Sequence, residues 1–170
     1  YEIFSSDAEA ETVVRIIKLS ESANSTFGIK SIDAECTGGI QPTAPKDLKI
    51  EFIGDSITCG YGVDDEVKEH HFSTATENAT KTYAFKTAEN LDADWSFVSF
   101  SGHGIISGYT DNGQKQTQQT VPPYYAKLGR SYGSKSGDFL VQDKDWDFNS
   151  FVPDVIVINL GTNDDSYCKG

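Results

Sequence analysis

Three residues have the types that acyl transfer requires, and each stands just after an apolar run: Ser56 in GDSIT, Gly102 in SGHG and Asn163 in GTND. A serine hydroxyl becomes a useful nucleophile only when a base takes its proton, and the tetrahedral intermediate then needs donors aimed at its oxyanion. Gly54 permits a tight backbone before Ser56, and the residues after it can open a helix. Gly102 offers a backbone N–H unobstructed by a side chain, and Asn163 offers a carboxamide. Taken singly, each has an ordinary reading as a helix cap, a turn glycine or a turn asparagine. Three such signatures at three strand ends outweigh those readings. The GxSxG elbow is absent around Ser56, which excludes the usual α/β-hydrolase arrangement.

The elements that must position these residues follow from the apolar pattern. Residues 48–53 (LKIEFI) read as a strand ending at Gly54, Asp55 and Ser56. Residues 81–91 suit a helix, with Ala84, Ala88 and Leu91 at spacings of four and three. Residues 95–100 are β-rich, and 155–160 (VIVINL) form the near-continuous apolar run of a parallel strand buried on both faces. Strand, helix, strand and a last buried strand begin an open α/β sheet, whose ligands sit at the carboxyl ends of the strands. Residues 107–151 read as a long loop with a short helix near Tyr124. Its aromatics Tyr109, Tyr124, Tyr125, Tyr132 and Trp146 either pack under the loop or wall a sugar site, packing being the better reading.

Upstream, Val13 to Leu19 is rich in β-branched residues, and Phe27, Ile29 and Ile32 mark a second extended run, so the two look like hairpin partners. Two strands alone are marginal. Residues 1–40 therefore read as the C-terminal part of a β-sandwich, the Gly/Pro-rich 38–45 as a linker, and 46–170 as the N-terminal part of an α/β hydrolase domain.

The 26 acidic against 14 basic residues give a net charge of −12. That balance disfavours nucleic acid, whose binding rests on phosphate neutralisation, and favours a neutral substrate. No stretch approaches the roughly 20 apolar residues of a membrane helix. Cys36, Cys59 and Cys168 form no CxxC pair or cluster with histidine, so a structural metal site is not expected. One disulfide is compatible with their number, and Cys59 suits a buried place beneath the Ser56 helix. Two sequons, at Asn24 and Asn78, suit an exported chain.

The blocks GDSIT, SGHG and GTND resemble, in the same order, the first three blocks of the SGNH (GDSL) hydrolase superfamily. The strings IEFIGDSITCGYG, FSTATENATKTYA and SFSGHGIISGY resemble more narrowly the family-2 carbohydrate esterases, which deacetylate plant polysaccharides such as xylan and glucomannan. The resemblance implies a jelly-roll β-sandwich followed by a flavodoxin-like three-layer SGNH domain. It also implies secretion, an acetylated polysaccharide as substrate, no cofactor, and a carbohydrate-binding or docking module outside this chain. Residue by residue, it makes Ser56 the nucleophile and gives the oxyanion donors as the Ser56 and Gly102 backbone N–H groups and the Asn163 side chain.

Asp55 is expected to brace the turn, and His103 and Tyr109 to line the substrate site. The superfamily's fourth block, a histidine in a DxxH motif, has no counterpart before Gly170. The chain is thus expected to be truncated at both ends and to lack its general base. His70 and His71 read as solvated loop residues. The alternatives are a polysaccharide-binding module that uses the same cleft without turnover, and a GDSL lipase or thioesterase.

Overall fold

The computed structural model describes residues 3–133 and 139–169. Strand β1 (Leu48–Gly54) lies at the centre of a parallel three-stranded sheet, between β2 (Ala93–Ser99) and β3 (Val155–Asn159). The ladder pairs Gly54 with Ser99 on one side and with Asn159 on the other, so the three carboxyl ends finish level. Adjacent strands are only about 4.8 Å apart. The segments that leave these ends are therefore neighbours, although more than a hundred residues separate Ser56 from Asn163.

Helix α2 (Tyr83–Asn90) covers one face of the sheet. Thr82 caps it, its hydroxyl accepting the Phe85 N–H at 3.4 Å. Ala84 and Ala88 share a helix face and are fully buried against Ile50, Phe52 and Ala93, with Trp95, Phe97 and Val157 around them. Their small side chains let the helix approach the sheet closely, while Phe52 fills the centre edge-on to Phe97 at 5.4 Å. The helix begins later than its sequence pattern suggests because Ala79–Lys81 form a 3-10 turn, capped by Asn78. Leu91 is the C-cap residue and is exposed, so it takes no part in the core.

Two expectations need correction. The apolar run of β3 is not buried on both faces: Val155, Ile156 and Ile158 are 44, 50 and 63% exposed, because β3 is an edge strand that no described helix covers. The hairpin near the start also does not form. Residues 3–47 contain no strand among the described residues, and Val13, Ile16, Phe27, Ile29 and Ile32 are exposed. Two short extended runs without a third strand or a covering layer have too little to bury.

Part of that upstream segment instead packs on the α/β body. The Leu19 carbonyl accepts the Ala79 N–H at 2.9 Å, the Ala23 carbonyl accepts the Tyr132 N–H at 2.9 Å, and Ala23 is fully buried. Among its described residues the 107–151 stretch contains one α-helical turn, α3 (Pro122–Tyr125), and a 3-10 turn at Val141–Asp143. Its aromatics mostly pack: Tyr124 and Tyr132 sandwich the Arg130 guanidinium at 4.9 and 4.6 Å, and Tyr125 donates to the buried Glu51 carboxylate at 2.8 Å. The three cysteines are free thiols, with Cys59 buried as expected. Both sequon amides are engaged, Asn24 with Glu21 and Asn78 with Asp64, at 3.0 Å each.

Candidate active site

Beyond β1 the chain turns into the single-turn helix α1 (Ser56–Cys59). Asp55 is 1% exposed, and its carboxylate accepts the Ile57 N–H at 3.0 Å, so it braces the turn. Burial raises its pKa, opposed by the Ile57 N–H and reinforced by the charge of Asp164. Gly54 is required because α1 sits directly on it: a Cβ there would lie 2.6 Å from the Thr58 Cβ. Thr58 is fixed in turn through its hydroxyl to Tyr83 at 3.0 Å. Gly60, at φ 79°, ends α1 in the left-handed region that glycine favours. Cys59 lies beneath α1, where burial pushes its thiol well up, so it is an inert packing group.

Ser56 is half-buried, and its hydroxyl bonds no described residue. Its backbone N–H, like that of Gly102, donates to no described residue. Gly102 has φ 76° and lies in the loop directly after β2. The third donor, Asn163, opens helix α4 (Thr162–Cys168) after β3 and is 6% exposed. Its Nδ2 donates to the His103 carbonyl at 2.8 Å, which uses one of two amide protons and leaves the other available.

The structure adds a residue that the motifs alone do not single out. The Asp164 carboxylate accepts the backbone N–H groups of Ile105, Ile106 and Ser107 at 2.6–3.0 Å. Burial raises its pKa, but the three N–H groups outweigh burial and hold it below the ordinary value. Gly104 makes this approach possible, since a Cβ there would lie 2.6 Å from an Asp164 oxygen. The GTND block thus grips the SGHG loop from the neighbouring strand end. The signal was present in the sequence, because an aspartate beside Asn163 at the same strand end faces the same loop.

His103 is not where it was expected. Its ring is fully buried, packed 5.6 Å from Phe100 and 6.3 and 6.4 Å from Tyr124 and Tyr132, and presents no surface to a ligand. The reason is local: the turn returns His103 N–H to the Phe100 carbonyl at 3.2 Å, which directs the side chain inward. Nδ1 bonds the Ser101 carbonyl at 3.0 Å, and a carbonyl can only accept, so Nδ1 carries a proton. Burial first, then Arg130, lowers the pKa, against the Ser101 bond.

Tyr109 is 59% exposed, and its N–H donates to the Gly102 carbonyl at 2.9 Å, which places it beside the candidate oxyanion donors. His70 is exposed and paired with Asp65 at 3.0 Å, and His71 is exposed. No described histidine hydrogen-bonds Ser56. The ends of the three strands thus carry a serine hydroxyl, two backbone N–H groups and one amide proton that bond no described residue.

The chain has clear relatives among known proteins. Over 173 residues it is 36% identical to the cellulase/esterase CelE of Acetivibrio thermocellus, covering 95% of this chain and 20% of that protein. It is 30% identical to an acetylxylan esterase/glucomannan deacetylase of Cellvibrio japonicus, covering 96% of this chain and 42% of that one. The chain thus spans less than half the length of either relative.

The solved structure of an acetyl xylan esterase from the rumen bacterium Butyrivibrio proteoclasticus superposes with a TM-score of 0.64 at 34% identity, over 74% of this chain and 33% of that one. The sheet is the SGNH-like parallel α/β arrangement that the sequence blocks imply. The GDSL-like lipase/acylhydrolase family model matches residues 50–169, a span that begins in β1, takes in all three strand ends and runs to the end of α4, and the chain belongs to that family.

Proposed function

We propose that this chain carries the nucleophile and oxyanion half of a secreted serine esterase that removes O-acetyl groups from plant cell-wall polysaccharides such as xylan and glucomannan. The observation that supports this reading is the level finish of three strands, beyond which lie Ser56, the Ser56 and Gly102 N–H groups that bond no described residue, and an Asn163 amide of which one proton is spent on His103. The relatives named as acetylxylan esterases support the substrate class. Ser56 Oγ attacks the acetyl carbonyl, and the three donors hold the oxyanion as it forms. The sugar hydroxyl leaves with a proton, and water then releases acetate from Ser56. Tyr109, exposed beside Gly102, lines the approach.

The general base in this reading is a histidine outside the described residues, since His103 is buried and His70 and His71 face solvent. Residues 1–40 are read as the last part of a β-sandwich, which would give the exposed apolar side chains of 13–32 their partners, and 46–170 as the first part of a three-layer, flavodoxin-like SGNH domain. A polymeric substrate requires export, and no described helix is long and apolar enough to cross a membrane.

The test is acetate release from acetylated xylan and glucomannan by the full-length protein. Ser56→Ala should lower it by at least about 10³. Wild-type release by that variant would overturn the reading. Binding of the same polysaccharides by a wild-type protein that releases no acetate would establish instead a module that uses the cleft without turnover.

A further inference from the structure

A buried polar cluster lies beneath the oxyanion loop, and the ester chemistry makes no direct use of it. Glu21, Cys59 and Glu77 are 7, 3 and 2% exposed, and their ligand-type atoms lie within 4.8 Å of one another. Lys18 shares this space, held by Ser20, the Glu21 carbonyl and Ser25, and its ammonium balances the charge. Within the cluster Glu21 is held at three points. Its N–H donates to Glu77 at 3.0 Å, Oε1 accepts from Asn24 at 3.0 Å, and Oε2 accepts the Ser101 N–H at 2.9 Å.

Ser101 is the residue whose carbonyl shares a peptide plane with the Gly102 N–H. Because that plane is rigid, any group that fixes the Ser101 C=O also fixes the direction of the Gly102 N–H. His103 Nδ1–H donates to this carbonyl at 3.0 Å, while Glu21 accepts the Ser101 N–H at 2.9 Å and so fixes the preceding Phe100–Ser101 peptide. The His103 backbone carbonyl in turn accepts Asn163 Nδ2 at 2.8 Å. The ring's Nε2 has no hydrogen-bond partner among the described residues.

We infer that His103 and Glu21 are positioning residues that hold the two consecutive peptides on either side of Ser101, His103 the Ser101–Gly102 peptide through its carbonyl and Glu21 the Phe100–Ser101 peptide through the Ser101 N–H, so that the Gly102 N–H points to where the oxyanion forms. Neither touches substrate. Glu21 belongs to the upstream segment, so that segment completes the geometry of a site whose other parts lie downstream of residue 46. Gly102 has φ 76°, a conformation that glycine's wide backbone freedom permits, so hydrogen bonds to its neighbours are what fix the direction of its N–H.

This inference rests on the proposed esterase reading, and the experiment separates the two. In the full-length protein, kcat and KM for p-nitrophenyl acetate are measured for Ser56→Ala, His103→Phe, His103→Asn, Glu21→Ala and Glu21→Gln, with melting temperature and near-ultraviolet circular dichroism to verify folding. His103→Phe keeps an aromatic ring among Phe100, Tyr124 and Tyr132 but removes the donor, and Glu21→Ala removes the acceptor. Both should lower kcat about tenfold or more and change KM less than about twofold, since a misdirected donor weakens the transition state and not ground-state binding.

His103→Asn and Glu21→Gln, which retain a donor and an acceptor, should recover much of kcat. Folded His103→Phe and Glu21→Ala variants with wild-type kcat would overturn the positioning role. So would losses confined to KM, or conservative variants that fold and show no recovery. If Ser56→Ala retains wild-type activity, the esterase reading fails instead.

Discussion

Asn163 donates from Nδ2 to the backbone carbonyl of His103 across 2.8 Å, a bond between residues 60 positions apart that ties the end of β3 to the loop after β2. The consequence is that two candidate oxyanion donors, Gly102 and Asn163, share one hydrogen-bonded unit. The third, the Ser56 N–H, lies just past the end of the central strand, at the start of α1. An oxyanion site works through donors already aimed before charge develops. In the proposed site this bond would supply that aim with one amide proton and leave the second for the oxyanion.

Asn163→Ala removes the carboxamide donor and leaves the His103 carbonyl without its partner. Acetate release should fall about 10²–10³-fold in kcat. The fall should exceed that of any variant that merely misdirects Gly102, as steady-state kinetics of the full-length protein would show.

Asp164→Ala deprives three backbone N–H groups of their acceptor and should destabilise the fold by about 2–3 kcal/mol, read from urea denaturation. The native pKa of Asp164 lies below its ordinary value of 3.8. Its contribution is therefore complete above that value and is lost as pH falls through the native pKa. The wild type should lose stability over this acid range more steeply than the variant.

Glu77 titrates in the opposite sense. Burial, then the neighbouring Glu21 carboxylate, raise its pKa from 4.5 to about 7. The protonated acid is the form the fold prefers, so its stabilising contribution is complete below about pH 4.5 and is lost as pH rises to about 7. Glu77→Gln supplies a permanently neutral isostere. The difference in denaturation midpoint between variant and wild type should move in favour of the variant between about pH 5 and pH 8. A difference that stays constant over that interval would rule out the titration.

Gly54→Ala places a methyl group against Thr58, 2.6 Å from its Cβ. Either α1 lifts from the sheet or β1 distorts, and overpacking of this kind costs about 1–3 kcal/mol. Because Ser56 begins α1, activity should fall further than the lost stability accounts for. The measurement is kcat at a temperature where the variant is fully folded.

The catalytic candidates are legible in the sequence because their signals are local. Ser56, Gly102 and Asn163 each directly follow an apolar run whose carboxyl end a parallel sheet places beside the others. The helix over 83–90 is legible in part, since Ala84 and Ala88 carry the period of four, whereas the exposed Leu91 shows that periodicity does not mark where a helix stops. The hairpin expected near the start does not form because β-branched composition gives only a preference for extended backbone, and a ladder also needs partners. Tyr125 and Tyr124 follow the same logic. Their aromatic character is plain, but only the folded chain shows their partners, the Arg130 guanidinium for Tyr124 and the Glu51 carboxylate for Tyr125.

The sequence by itself determined the order of the strands' chemical ends and the residue types at each, because short apolar periods and turn residues act over a few positions. Tertiary structure alone decided which groups orient them. Glu21 meets Ser101 across 80 positions and Asp164 meets Ile105 across 59, contacts that arise only after the sheet has closed and the upstream segment has packed against it. His103 shows the difference most directly. Its place beside Gly102 is written in the sequence, yet whether its ring faces substrate or the interior depends on one turn, the Phe100 and Tyr124 rings that receive it, and a carbonyl that fixes its proton.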